Sequence, residues 1–270
     1  MTDCLRSLLR PVLSLPAATA LLALAWSAGA VAQTVPASTT SATPVATASA
    51  AAAVPASSMS SRVLACTACH GKEGRATPDG YFPRIAGKPA GYLANQLLNF
   101  RDGRRSYPQM GYLIEHLTDD YLREMAEYFA ALDLPYPPPP APQAPAAALE
   151  QGRQLVQQGD AARRIPACVA CHGAAMTGVA PSIPGLLGLP RDYLNSQLGA
   201  WKTGQRRAHV PDCMADIARQ LTPDDVSAVS AWLAAQPVAA GGKPARALPA
   251  AMPARCGGVA EVPVAAAAAR

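Results

Sequence analysis

Aromatic side chains are scarce in this chain: 3 Phe, 3 Trp and 8 Tyr among 270 residues, or 5%. A chain of this length has room for two domains, and that is thin aromatic material for two hydrophobic cores. A bulky apolar body from outside the polypeptide would make up the shortfall. Charge is sparse as well, at 15% Asp, Glu, Lys and Arg with a net of +5. Binding to nucleic acid is excluded as a reading, because the positive balance is mild and no segment has the form of a base-recognition module. Long apolar runs are few. Residues 11–32 are just long enough to span a bilayer, but Pro16 and many alanines weaken the stretch.

What is present begins with the ends. Residues 1–32 have the form of an export signal: Arg6 and Arg10 precede an apolar region around Leu21–Trp26, and Ala30-Val31-Ala32 is a small-residue cleavage site before Gln33. The expectation is a periplasmic protein. The alternative is an uncleaved membrane anchor over residues 11–32, with the Ala/Ser/Thr/Pro-rich residues 33–58 as a low-complexity tether. Leu134-Pro135-Tyr136-Pro137-Pro138-Pro139-Pro140 cannot continue a helix, so residues 135–146 read as a semi-extended linker between two domains, 59–134 and 147–237. Residues 238–270, poor in large apolar groups, are expected to be a disordered tail.

Two short motifs carry the chemistry. Cys66-Thr67-Ala68-Cys69-His70 and Cys168-Val169-Ala170-Cys171-His172 both match Cys-x-x-Cys-His, the attachment signature of c-type haem. Two cysteines three apart lie on one side of a helical turn, where both thiols can form thioethers, and the adjacent histidine comes beneath the iron. A single match could be half of a zinc site; two matches inside two matching repeats point to two covalent haem c groups. The porphyrins would then supply the missing apolar bodies.

The repeat runs well beyond the motif. Tyr92-Leu93-x-x-Gln96-Leu97 matches Tyr193-Leu194-x-x-Gln197-Leu198, and Phe100-Arg101-Asp102-Gly103 matches Trp201-Lys202-Thr203-Gly204. Met110 stands seven residues before Leu117-Thr118, as Met214 does before Leu221-Thr222. Haem iron in an electron carrier needs a second axial ligand, and a thioether raises the potential. Met110 and Met214, in repeat register after loop-like stretches, are the candidates opposite His70 and His172; core packing is the alternative for each. His209 and Cys213 share the second loop, and His209 is a weaker ligand candidate without a partner in the first repeat. Met176 is too close to His172 to reach the opposite face. Pro83 and Pro184 occupy matching positions, and either carbonyl could accept from the histidine ring N–H and fix its orientation.

Together these features resemble class I c-type cytochromes, and the tandem arrangement is similar to the diheme cytochrome c4 family. The resemblance covers residues 60–134 and 147–237. It implies an all-α fold of two haem domains related by a pseudo-twofold axis, with haem propionates near their interface. It also implies outer-sphere electron transfer between respiratory partners towards a terminal oxidase. The alternative is a diheme subunit of a dehydrogenase complex, of flavocytochrome or quinoprotein type; a diheme peroxidase is the enzyme-class rival. With His/Met ligation at both irons no position is open for a small-molecule substrate, so an electron-transfer protein and not an enzyme is expected.

Coarse patterning places helices at 60–65, 92–101, 118–132, 147–158, 193–202 and 222–235, with Tyr128 and Trp232 packing on each domain's first helix. Thr222-Pro223-Asp224-Asp225 has the form of a helix start. Arg101/Arg104/Arg105 and Lys202/Arg206/Arg207 recur in register and could steer an acidic redox partner, pair with propionates or merely be solvated. Without residues 1–32 the net charge is +4, and four propionates would bring it near zero. Cys213 and Cys256 remain after haem attachment and removal of Cys4; a disulfide, two free thiols and intermolecular pairing all stay open.

Overall fold

Apolar spacing, with a side-chain cap on the closing helix alone, accounts for the helices of the first domain. The structure, a computed structural model, describes residues 58–239 and 241–265; the export signal and the tether expected before residue 58 lie outside them. Helices α1 (Met59–Arg62) and α2 (Leu64–His70) are offset at Val63, whose ψ of 10° breaks the α ladder while its side chain is buried. They are followed by α3 (Ala90–Arg101), α4 (Pro108–Ile114) and α5 (Asp119–Ala131). The Thr118 hydroxyl accepts from Tyr121 N, and Asp119 and Asp120 favour the positive N-terminal end of α5. Leu122, Met125, Ala126 and Phe129 recur at helical spacing and are its buried face. Leu122 is fully buried, which contributes roughly 1.5–3 kcal/mol.

The second domain repeats the plan with α6 (Ala146–Gln157), α7 (Val169–His172), α8 (Arg191–Thr203), α9 (Cys213–Gln220) and α10 (Pro223–Ala234). A two-residue antiparallel ladder joins β1 (Gly178–Val179) to β2 (Ile183–Pro184). Thr222 and Asp225 form a reciprocal capping box, with Pro223 in the first turn of α10. Helices α6 and α10 cross closely because residue 152 is glycine: a Cβ there would stand 2.2 Å from the Ala228 carbonyl oxygen and 2.9 Å from Trp232 Cβ. Trp232 thus packs on the domain's first helix.

Each haem motif ends on a glycine with positive φ, Gly71 at 74° and Gly173 at 82°. The loop then folds back. The Gly74 carbonyl accepts from Ile85 and Ala86, and the Met176 carbonyl accepts from Leu186 and Leu187. Met176 therefore occupies the place of Gly74 and fills core space in the second domain.

Residues 241–265 depart from the disorder expected of the tail. Ala245 pairs with Gly178 and Ala180, Leu248 is 1% exposed against Val179 and Ile183, and Leu248 exchanges backbone hydrogen bonds with Pro263 and Ala265. Cys256 is bonded to Cys213, with their Cα atoms 5.1 Å apart. The tail also reaches the first domain, where Asn95 Nδ2 donates to Gly258 O at 2.5 Å. A few well-placed apolar groups and one cross-link order a segment whose average composition argues against order. The proline-rich linker is likewise held: Arg84 donates to the Leu134 and Pro135 carbonyls and lies 3.9 Å from the centre of the Tyr136 ring.

Candidate functional site

One cavity of about 560 Å³ runs through both domains. Its first-domain wall includes Cys66, Cys69, His70 and Met110, and its second-domain wall Cys168, Cys171, His172 and Met214. Helix α2 presents the first motif; α7 carries Cys171 and His172, with Cys168 immediately before it. Met110 lies in the first turn of α4 and Met214 in the first turn of α9. Asp212 sets that turn, accepting from Ala215 N at 3.1 Å and from Ala208 N at 2.7 Å.

Both histidines are held in the same way. His70 Nδ1 is 2.8 Å from the Pro83 carbonyl, and His172 Nδ1 is 2.8 Å from the Pro184 carbonyl. A carbonyl can only accept, so Nδ1 carries the hydrogen and Nε2 keeps its lone pair for iron. Burial pushes the His70 pKa down, the Pro83 bond opposes this, and Arg105 lowers it further. Burial also lowers His172, against the Pro184 bond, with Lys88 adding to the effect. Neutral imidazole is the ligating form. The cysteine surroundings are apolar: burial pushes the Cys168 thiol up to about 12 and raises Cys66 and Cys171.

The domain interface is built on crossed arginines. Arg105 and Arg206 face each other in an antiparallel bridge, flanked by Ser106 N donating to Gln205 O and Arg207 N donating to Arg104 O. Arg105 donates to Gln96 of its own domain and to Tyr193 and Gln197 of the other, at 2.6–3.0 Å. Arg206 mirrors it, donating to Gln197 of its own domain and to Gln96 and Tyr92 across the interface. Their guanidinium carbons lie 4.4 Å from the centre of Phe100 and 3.8 Å from that of Trp201. Both arginines are buried, and among the described residues no carboxylate pairs with either.

These features fit haem. Two buried cations on a cavity wall match the acidic propionates of a porphyrin, and the buried Trp201 indole N–H has no partner among protein atoms. The other repeated basic residues do different work. Arg101 binds Asp119 at 2.7 Å and Asp102 at 3.0 Å, while Lys202 Nζ donates to the Ala218 and Leu221 carbonyls. They tie α3 and α8 to the start of each closing helix. His209 is exposed at the cavity rim, and His116 is exposed beside Glu115. Sequence reasoning gave no role to Tyr92, Gln96, Tyr193 and Gln197, although their one-turn spacing in both repeats signalled a shared face. Lys88 is also missed; its counterpart in the second repeat is Leu189, so the repeat held no signal for it.

The site defines a tandem c-type cytochrome with two His/Met candidate centres. A cytochrome c family profile matches residues 149–236. The thiosulfate dehydrogenase electron acceptor of Thiomonas intermedia (strain K12) is 38% identical over 174 residues, covering 64% of this chain and 79% of that protein. Reduced recombinant cytochrome c4 from Pseudomonas stutzeri superposes with a TM-score of 0.57 at 27% identity, over 65% of this chain and 95% of that one. The thiosulfate dehydrogenase (TsdBA) from Marichromatium purpuratum, in its as-isolated form, gives 0.58 at 36% identity, over 65% of this chain but only 37% of that longer one. The chain belongs to the cytochrome c family, among its diheme, cytochrome c4-like members. It is an electron carrier with two haem c groups.

Proposed function

We propose that this chain is the electron-accepting partner of a periplasmic dehydrogenase that oxidises thiosulfate. A general carrier towards a terminal oxidase is the second reading. The observation that carries the first is the 38% identity to a thiosulfate dehydrogenase electron acceptor over most of that protein's length. Likeness to part of the longer thiosulfate dehydrogenase chain supports the same class of partner. The site chemistry suits the role. Joining two thiosulfate anions through a sulfur–sulfur bond releases two electrons, one for each centre. Haem supplies reversible one-electron chemistry when bound.

The protein's own residues do the rest. His70 and Met110 would hold one iron and His172 and Met214 the other, leaving no open position for substrate. The Pro83 and Pro184 carbonyls orient the imidazoles, and the apolar cavity limits water and so reorganisation on electron transfer. Residues 1–32, read as an export signal or an anchor, support a periplasmic setting, since either would put maturation outside the cytoplasm. Mixing the matured oxidised protein with thiosulfate and a purified thiosulfate dehydrogenase tests the proposal. Reduction of both haems, requiring enzyme and thiosulfate together, is expected. Failure with that enzyme, alongside rapid oxidation of the pre-reduced protein by a terminal oxidase, would favour the second reading.

A further inference from the structure

The two centres differ in what lies over them. In the second domain the C-terminal tail runs from the histidine side of the cavity to the methionine side. Leu248, Met252 and Val259 pack with Val179 and Ile183, next to Pro184, and Cys256 is bonded to Cys213, next to Met214. Along this run Met252, Ala254, Cys256 and Gly258 line the cavity, while the residues between them are exposed. The first domain closes the same gap with rings of its own. In register from the paired prolines and methionines, Tyr81 matches Ser182 and Tyr107 matches Pro211. The Tyr81 and Tyr107 ring centres are 6.2 Å apart; Tyr81 is 5.2 Å from Phe82, which lies 6.3 Å from His70. Among the described residues this side is open to solvent, with Tyr81 50%, Tyr112 78% and Leu113 46% exposed. It is also uncharged. Residues 106–114 contain no Asp, Glu, Lys, Arg or His, whereas the matching residues 210–218 include Asp212 and Asp216 and meet a tail that carries Arg255.

We propose that the tail closes the second centre to protein partners, and that the face built from Tyr81, Tyr107, Tyr112 and Leu113 is the port where electrons enter and leave. Its occupant is the electron-donating surface of the dehydrogenase proposed above, and the inference rests on that reading for the identity of the partner. Tyr81, Tyr107 and Leu113 line the first centre's part of the cavity wall, so a protein seated on them stands against the centre it must reduce. Exposed rings and aliphatic groups with no charge among them bind by desolvation, and the surface they fit is apolar around its own redox centre. An electron given up by the dehydrogenase, which is thereby oxidised, turns the His70/Met110 centre from ferric to ferrous. Its passage to the His172/Met214 centre returns the first to ferric and frees the port for the second electron. No bond forms or breaks and no proton moves. The proposal concerns access, and it holds whichever centre has the higher potential.

Stopped-flow reduction of the matured, oxidised protein by thiosulfate-reduced dehydrogenase tests it. Tyr112→Asp and Tyr112→Lys should each slow the second-order rate by about tenfold or more, because either charge is buried unpaired in the contact. Both should also weaken binding to the enzyme in sedimentation velocity, with the Fe–Met band and both midpoint potentials unchanged. Val210→Asp, Val210→Lys and Arg255→Glu alter exposed groups on the covered side and should leave rate and binding as in the wild type. Slowing by the Val210 or Arg255 variants would overturn the proposal, as would Tyr112 variants that react at the wild-type rate. Opposite effects of Asp and Lys at position 112 would also overturn it, since they signal charge steering. Self-association of the wild type that Tyr112→Asp abolishes would assign the face to a second copy of the chain instead. If enzyme and thiosulfate fail to reduce the wild type, the proposed function fails. The port is then decided by the same variants during oxidation of the pre-reduced protein by a terminal oxidase: the same losses support it and their absence overturns it.

Discussion

Removing the Cys213–Cys256 bond should loosen the second domain measurably. The cross-link spans 43 residues, and closing a loop of that size in the denatured chain corresponds to about 4 kcal/mol of stability at 25 °C. For a folded body of this size each kcal/mol shifts Tm by roughly 2–4 °C, so Cys256→Ser and Cys213→Ser should each lower Tm by roughly 8–16 °C. The loss should be directional as well. Cys213 opens α9 immediately before Met214, and Gly257 N donates to the Pro211 carbonyl at 2.8 Å. The tail thereby clamps the loop that presents the second methionine. Thermal melts of matured protein, followed at the ferric Fe–Met charge-transfer band, separate the two effects. Half of the band should fade at lower temperature in either variant while the first centre's half persists. Identical melts for wild type and both serine variants, with the full band retained throughout, would refute the view that the tail supports the second centre.

Four further outcomes are expected. Gly152→Leu should destabilise the second domain by several kcal/mol, because its side chain must displace the Ala228 carbonyl and the Trp232 side chain; differential scanning calorimetry would register it. Arg206→Leu strips Gln96, Gln197 and Tyr92 of a shared donor and should cost roughly 2–3 kcal/mol, seen as an earlier urea midpoint. Asp225 is pushed up by burial but pulled down further by Arg163, Thr222 N and Gln151, to about 2. With its folded pKa depressed below the unfolded value near 3.9, its contribution of about 2–3 kcal/mol is present above pH 4 and lost as pH falls towards 2. Asp225→Asn should lose that stability at pH 7 and show a flatter acid limb in urea titrations between pH 4 and 2. Met110→Leu and Met214→Leu should each halve the Fe–Met band and lower one midpoint potential; a full band in either would reject that residue as a ligand.

Much of the site was legible because covalent haem attachment imposes fixed spacing. The two Cys-x-x-Cys-His motifs, the paired prolines and the paired methionines stand in register in the two repeats, and the structure brings all of them to one cavity. The all-α tandem plan followed from the repeat and from helix starts such as Thr222-Pro223. Five helices kept their ends to within two residues, but the one expected over 60–65 breaks at Val63 and continues to His70, and the short helices α4 and α9 were given no bounds. The tail resisted reading for a different reason. Its order rests on Leu248, a few smaller apolar contacts and a disulfide whose geometry no spacing rule predicts. The crossed arginines were visible as recurrent charge, but only the fold separates Arg105 and Arg206 at the interface from Arg101 and Lys202, which brace helices. Lys88 lacked any repeat signal, because asymmetry is what the alignment discards.

The crossed arginines carry a consequence for assembly. Before haem is attached, closing the two domains would press two guanidinium groups together without a carboxylate, and burial beside Arg105 already depresses the Arg206 pKa. Propionates would supply the missing counter-charge on the cavity wall that both arginines line. The contact already stands on glutamine and tyrosine partners and two ring faces, so haem attachment should tighten a seam that the polypeptide has itself made. The cofactor thus becomes part of the adhesive between the two halves as well as their redox centre.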